Sequence, residues 1–152
     1  FDRRPNVIPG YIASDNPGKL VPLPGGWHDT GDVVSQDDTG YLTIKGRLKR
    51  FAKIGGEMVS LSVVENCASA IWPDHMHAAG AIPDPRKGEQ IILLTTAQSA
   101  NRSDILAWSQ SHGVSELSVP RKVYHVEDIP VLGTGKVDYG AVNQLVRDLT
   151  ES

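Results

Sequence analysis

The chain has 152 residues, 39% hydrophobic and 22% charged, enough apolar material for the core of a soluble globular domain. A formal net charge of −3 and a pI near 5.9 argue against a general nucleic-acid binder, which would be basic as a whole. A single cysteine excludes an intramolecular disulfide and suits a reducing compartment, and no apolar run approaches the ~18–20 residues that cross a bilayer.

The chain opens on "FDRRPNVIPGYIA", with no Met, basic n-region or apolar h-region. It therefore reads as the middle of a longer protein and not as a signal peptide. Pro5, Pro9, Pro17, Pro22 and Pro24, with Gly10, Gly18, Gly25 and Gly26, forbid long elements here. Short strands over "NVIPGYIA" and "KLVPL" are expected. "VVSQDDTGYLTIKG" predicts two strands around an Asp-Asp-Thr-Gly turn, with Gly40 supplying positive φ. "RLKRFAKI" predicts a further strand, and Gly55-Gly56 a tight turn leading into a helix. Leu61, Val64, Ala68 and Ile71 then mark one helical face, with Ser60 as N-cap and Pro73 as the stop. "HMHAAGAI" and "EQIILLTTA" predict two strands joined by "PDPRKG". Ser103 is expected to cap a helix through "DILAWSQSH" that Gly113 ends. "KVYHVE" predicts a strand, "IPVLGTGK" a loop, and Asp138 the cap of a last amphipathic helix carrying Tyr139, Val142, Leu145, Val146 and Leu149. The result is a small α+β domain, a short mixed sheet with packed helices.

Several short motifs carry chemistry, each beside a plainer reading. "GWHDTGD" places Asp32 after a Thr-Gly turn; it is an Asx-type turn or a carboxylate presented to bind a vicinal diol such as a ribose. "LGTGK", ending at Lys136, resembles a phosphate loop but fails that pattern: Val137 follows the lysine, and Pro130 stands where the first Gly belongs. Lys136 is an exposed lysine on a turn or a mobile charge delivered to an anionic transition state. The cations Lys45, Arg47, Lys49, Arg50 and Lys53 form a solvated strand face or a binding surface. Cys67 reads as a small buried hydrophobe. His75 and His77, with no further ligand near in sequence, do not suggest zinc. "NRS" at Asn101 matches a glycosylation sequon without other signs of secretion, and Trp72 and Trp108 are expected in the core.

The order "WHDTGD", "GYLTIKGRLKRFAKIGGEMVSLSVVE" and P-x-x-x-x-G-K (Pro130 to Lys136) resembles the adenylate-forming superfamily of acyl-CoA synthetases, luciferases and nonribosomal adenylation domains. The similarity runs from about residue 5 to 149. Within that family, "RKGEQIILLTT", "HGVSELSVPRKV" and "LGTGKVDYGAV" look like the C-terminal end of bifunctional 2-acylglycerophosphoethanolamine acyltransferase/acyl-acyl carrier protein synthetases. The resemblance implies that residues 1–48 are the β-rich end of a large adenylate-forming domain and 49–152 a mobile C-terminal lid. It implies an AMP-forming ligase that uses ATP with Mg2+, makes an acyl-adenylate from a fatty acid, and passes the acyl group to the phosphopantetheine thiol of an acyl carrier protein.

By the same resemblance, Asp32 and Arg47 serve the nucleotide, Lys49 is the hinge, Lys136 is the catalytic lysine, and Gly55 and Gly56 lie on the loop facing the pantetheine arm. A carrier-docking role for Arg50, Lys53, Arg121 and Lys122 follows from charge, since carriers are acidic. His28, Asp29 and Ser60 depart from common family residues. Most of the ATP and acyl pocket would belong to the parent N-terminal domain in cis, so the chain alone is expected to be inactive. A cytoplasmic enzyme, with the intact protein at the cytoplasmic face of the bacterial inner membrane, goes with that branch. An acyl-CoA synthetase of the same superfamily, or a non-catalytic carrier-protein binding domain, are the alternative functions.

Overall fold

The computed structural model describes residues 10–12, 18–22, 25 and 29–151. The chain divides into two compact units, Phe1–Lys49 and Arg50–Ser152.

Among its described residues the first unit holds two antiparallel pairs. β1 (Gly10–Ile12) pairs with β2 (Leu20–Pro22), and β3 (Asp32–Gln36) with β4 (Leu42–Arg47). The β3–β4 turn is built by Asp37, whose Oδ1 accepts from the backbone N–H of Thr39 and of Tyr41, each at 2.9 Å. Gly40 adopts φ +90°, the conformation expected of it. These bonds hold the fully exposed Asp37 carboxyl below the usual carboxylate range, the Thr39 hydroxyl contributing most.

"RLKRFAKI" does not run as one strand. β4 stops at Arg47, Leu48–Arg50 form a 3-10 turn, and β5 (Phe51–Ile54) starts afresh. A second difference lies after the Gly-Gly step, where β6 (Glu57–Ser60) precedes α1 (Leu61–Ile71). Gly55 (φ +61°) and Gly56 (φ +92°) thus close a two-residue hairpin between β5 and β6. Both central residues have positive φ, the geometry that two-residue hairpins favour. Ser60 stands at the N-cap of α1 with extended backbone, but its side chain makes no cap hydrogen bond.

β7 (His77–Asp84) and β8 (Gly88–Thr95) form the long central pair, and β9 (Lys122–His125) joins β8 in parallel. The sheet order is β6-β5-β8-β7 with β9 also on β8, a mixed sheet as expected. α2 (Arg102–Ser111) is capped by Asn101 and not by Ser103: the Asn101 side chain accepts from the Asp104 N–H at 3.0 Å. Asp138 caps α3 (Tyr139–Glu151) through the N–H groups of Gly140 and Ala141.

Alternation along β8 sends Ile91 and Leu93 into a cluster with α1 and α2 residues Val64, Cys67, Ala68 and Ile105, and Ile92 and Leu94 into a second cluster with Val142 and Val146 of α3. Both faces are covered, which is why "IILL" is a continuous apolar run. Burial pushes the Cys67 thiol pKa up. Trp72 and Trp108 are only partly buried at the margin of the first cluster. Gly80 lets α3 approach β7: a Cβ there would lie 3.0 Å from Asn143 Oδ1 and 3.1 Å from Val146 Cγ2. Among the described residues no helix is long and apolar enough to cross a membrane.

Candidate functional site

In the first unit, the turn before β3 presents Asp32. Gly31 has φ +67°, and its N–H donates to Asp29 Oδ1 at 2.8 Å. The Asp32 N–H donates to Thr30 Oγ1 at 3.3 Å. Asp32 and Arg47 face each other in the β3–β4 register. Arg47 NH1 lies 3.1 Å from Asp32 Oδ1 and donates to the Thr30 carbonyl at 2.6 Å. The arginine side chain is 68% exposed and the carboxylate 20%. Among the described residues nothing donates to Asp32 Oδ2, so the carboxylate retains acceptor capacity for hydroxyls, and the guanidinium retains donors for an anion. Asp29 caps its own turn, and His28 lies outside the described residues.

Lys49 is exposed within the 3-10 turn and is the last residue of the first unit. Arg50, expected on an exposed docking surface, is instead drawn inside the second unit. Its NH2 meets Glu65 Oε1 at 2.6 Å, its NH1 donates to the Ala79 carbonyl at 2.9 Å, and its guanidinium sits 3.6 Å from the centre of the Tyr139 ring. The two charged side chains are 14% and 13% exposed. The docking assignment for Arg50 is corrected on that ground: its donors are committed within the fold.

Lys53 is exposed on β5, its backbone N–H donating to Glu89 Oε2. Arg121 and Lys122 are exposed at the start of β9 and, with Lys87 and Arg102, line a groove of about 410 Å³ that Asp84 and Glu89 also border. The backbone N–H groups of Arg86 and Lys87, helped by the charges of Arg121 and Lys87, hold the Asp84 carboxyl below its usual range. Gly55 and Gly56 are exposed, and among the described residues a Cβ at either would meet nothing within 4 Å. Here it is φ, not close approach, that requires glycine.

Lys136 stands exposed on a small arm of residues 130–138. The Leu132 N–H donates to the Lys136 carbonyl at 2.7 Å, Gly135 N–H to the Leu132 carbonyl at 2.8 Å, and Val131 bridges Val137. The Asp138 N–H donates to the Pro130 carbonyl at 2.9 Å and closes the base. A segment expected as a loop is therefore a hairpin that holds its lysine in the solvent.

Sequence reasoning singled out neither Glu65 nor Tyr139 for a role of this kind. Glu65 Oε1 also accepts from the Ala79 N–H at 2.8 Å, and Oε2 from the Tyr139 hydroxyl at 3.3 Å. One signal was available: a carboxylate four residues after Leu61, beside the apolar stripe of α1. His77 is buried, with Nε2 2.9 Å from the Trp72 carbonyl and Nδ1 2.9 Å from Thr95 Oγ1. Desolvation keeps its pKa below the ordinary value. Among the described residues no cluster of His, Cys, Asp and Glu could hold a metal ion.

No protein-family model matches the chain. It is 28% identical over 148 residues to a 2,3-dihydroxybenzoate-AMP ligase of Bacillus subtilis, covering 96% of this chain and 28% of the relative. A fatty acyl CoA synthetase of Mycobacterium tuberculosis superposes with a TM-score of 0.61 at 29% identity, over 81% of this chain and 25% of the other. An ATP-bound RpMatB-BxBclM chimera gives 0.63 at 25% identity, over 82% and 25%. The chain thus spans about a quarter of the length of the proteins it matches. Its homologues and structural neighbours are AMP-binding, adenylate-forming ligases, and the small α+β fold matches their C-terminal domain.

Proposed function

We propose that this chain is the C-terminal portion of an ATP-dependent, AMP-forming acid–thiol ligase, and that Lys136 is the residue through which it acts on the first half-reaction. The observation that carries this reading is the 130–138 hairpin, which holds an exposed lysine on a tied arm. The first half-reaction brings a substrate carboxylate against the α-phosphate of ATP and releases pyrophosphate. Charge builds on the phosphoryl oxygens, and a lysine placed there stabilises it; removing one such donor costs about 10²–10³ in rate. Asp32 would accept the ribose hydroxyls with Arg47 beside the nucleotide, which the open Oδ2 and the exposed guanidinium suit. Mg2+ and most of the acyl pocket would be held by the parent N-terminal domain.

The second half-reaction needs a thiol at the same carbonyl, where the lysine would obstruct it. Rotation of the lid about Lys49 removes the lysine and brings the Gly55-Gly56 turn to the pantetheine side. Lys49 suits a pivot because it is exposed, sits in a three-residue 3-10 turn, and ends one compact unit.

For the acceptor, the resemblance of "RKGEQIILLTT", "HGVSELSVPRKV" and "LGTGKVDYGAV" to the acyl carrier protein synthetase/acyltransferase branch supports a carrier-borne phosphopantetheine. The exposed Arg121-Lys122 pair and Lys53 would meet an acidic carrier. A second reading, coenzyme A as acceptor, is favoured by the similarity to a fatty acyl CoA synthetase. Thioester formation by the intact enzyme with each acceptor separates them. In that enzyme Lys136→Ala is expected to lower ATP–pyrophosphate exchange by about 10²–10³-fold and to spare thioester formation from supplied acyl-adenylate. Equal loss in both half-reactions would overturn the swing.

A further inference from the structure

We infer that Glu65 is a positioning residue which, through Arg50 and Tyr139, locks the Lys136 hairpin to the first residue of the second unit. The catalytic purpose of this clamp rests on the reading of Lys136 given above; the clamp itself stands on geometry.

Three segments distant in sequence meet on one carboxylate. Arg50 opens the unit directly after Lys49, and its NH2 meets Glu65 Oε1 at 2.6 Å. Ala79, in the middle of β7, gives the same oxygen its N–H and gives Arg50 its carbonyl, so the pair is pinned to the central strand. Tyr139 reaches Glu65 Oε2 with its hydroxyl and covers the Arg50 guanidinium with its ring. Burial, then the Glu65 charge, pushes the Tyr139 pKa up, so the phenol keeps its proton. Tyr139 follows Asp138, whose N–H closes the base of the lysine hairpin and whose side chain caps α3. From Arg50 to Lys136 the path runs through a part-buried ion pair, a ring over the guanidinium and a hydrogen-bonded turn. A lid that must deliver one lysine after each rotation needs such a path, because misplacement by about 1 Å costs about 10²-fold in rate.

The test compares Tyr139→Leu, which removes ring and hydroxyl, with Tyr139→Phe, which keeps the ring over Arg50. In the intact enzyme, Tyr139→Leu is expected to lower ATP–pyrophosphate exchange about tenfold, through kcat and not the KM for ATP. Tyr139→Phe is expected to stay within about twofold. Amide exchange on the 152-residue chain supplies a readout independent of activity. In Tyr139→Leu the amides of Leu132, Gly135 and Asp138 should exchange at least about tenfold faster while those of Ile91 to Leu94 stay protected. Acceleration of both sets alike, or of neither, would overturn the clamp. Lys136→Ala run beside these variants separates the two claims: normal pyrophosphate exchange in it would sink the role of Lys136, whereas the amide arm would still decide the clamp.

Discussion

Arg47 and Arg50 stand three residues apart, and each faces a carboxylate from another segment. Arg47 is two-thirds exposed against Asp32, whereas Arg50 is almost enclosed between Glu65, the Ala79 carbonyl and the Tyr139 ring. An exposed pair gains little from pairing and can exchange its partner for a ligand. A buried pair has lost its water, so each partner depends on the other. The same residue type is thus left open to solvent on one side of Lys49 and enclosed by the fold on the other.

The strongest way to break that contrast is to delete one partner. Glu65→Ala should cost the second unit about 3–5 kcal/mol by leaving the Arg50 charge buried without its counter-ion. Urea unfolding followed at Trp108 would measure it, and a cost below about 1 kcal/mol would place Arg50 with Arg47 after all. His77 sharpens the comparison with a buried group that avoids charge. Its pKa in the fold lies below the ordinary 6.5. Above pH 6.5 folded and unfolded chains are both neutral there, and the histidine adds no pH dependence. As pH falls below 6.5 the unfolded chain takes the proton first. Stability should then fall, by at most about 1.4 kcal/mol per pH unit, until the folded value is reached. A His77→Gln variant should lose that part of the slope in thermal melts between pH 7 and 5. The smallest effect belongs to Arg47: Arg47→Ala should change stability by about 0–1 kcal/mol, with the wild-type pair weakening further in high salt. In the intact enzyme the same variant should raise the KM for ATP, and unchanged ATP dependence would remove Arg47 from the nucleotide.

Local features of the fold were legible where a single element carried the signal. The spacing of Leu61, Val64 and Ala68 marked α1, the Asp37 to Gly40 turn marked a hairpin, and Asp138 capped α3 as expected. What was missed depended on partners. β6 is four residues long and exists because β5 pairs with it across Gly55-Gly56, which no property of "EMVS" announces. α2 begins where the Asn101 side chain finds the Asp104 N–H, and not at Ser103 as the sequence suggested.

The sequence by itself determined the α+β class and the order of the motifs, and it singled out Asp32, Arg47, Lys49 and Lys136 as the candidates on which the proposal rests. Residue type and spacing carry that information, because ionisation and hydrogen-bonding capacity belong to the side chain. Only the tertiary structure decided which of the two arginines stayed exposed and which was enclosed. Desolvation is set by what packs around a group: Glu65 from α1, Ala79 from β7 and Tyr139 from α3 converge on Arg50, and among the described residues nothing comparable encloses Arg47.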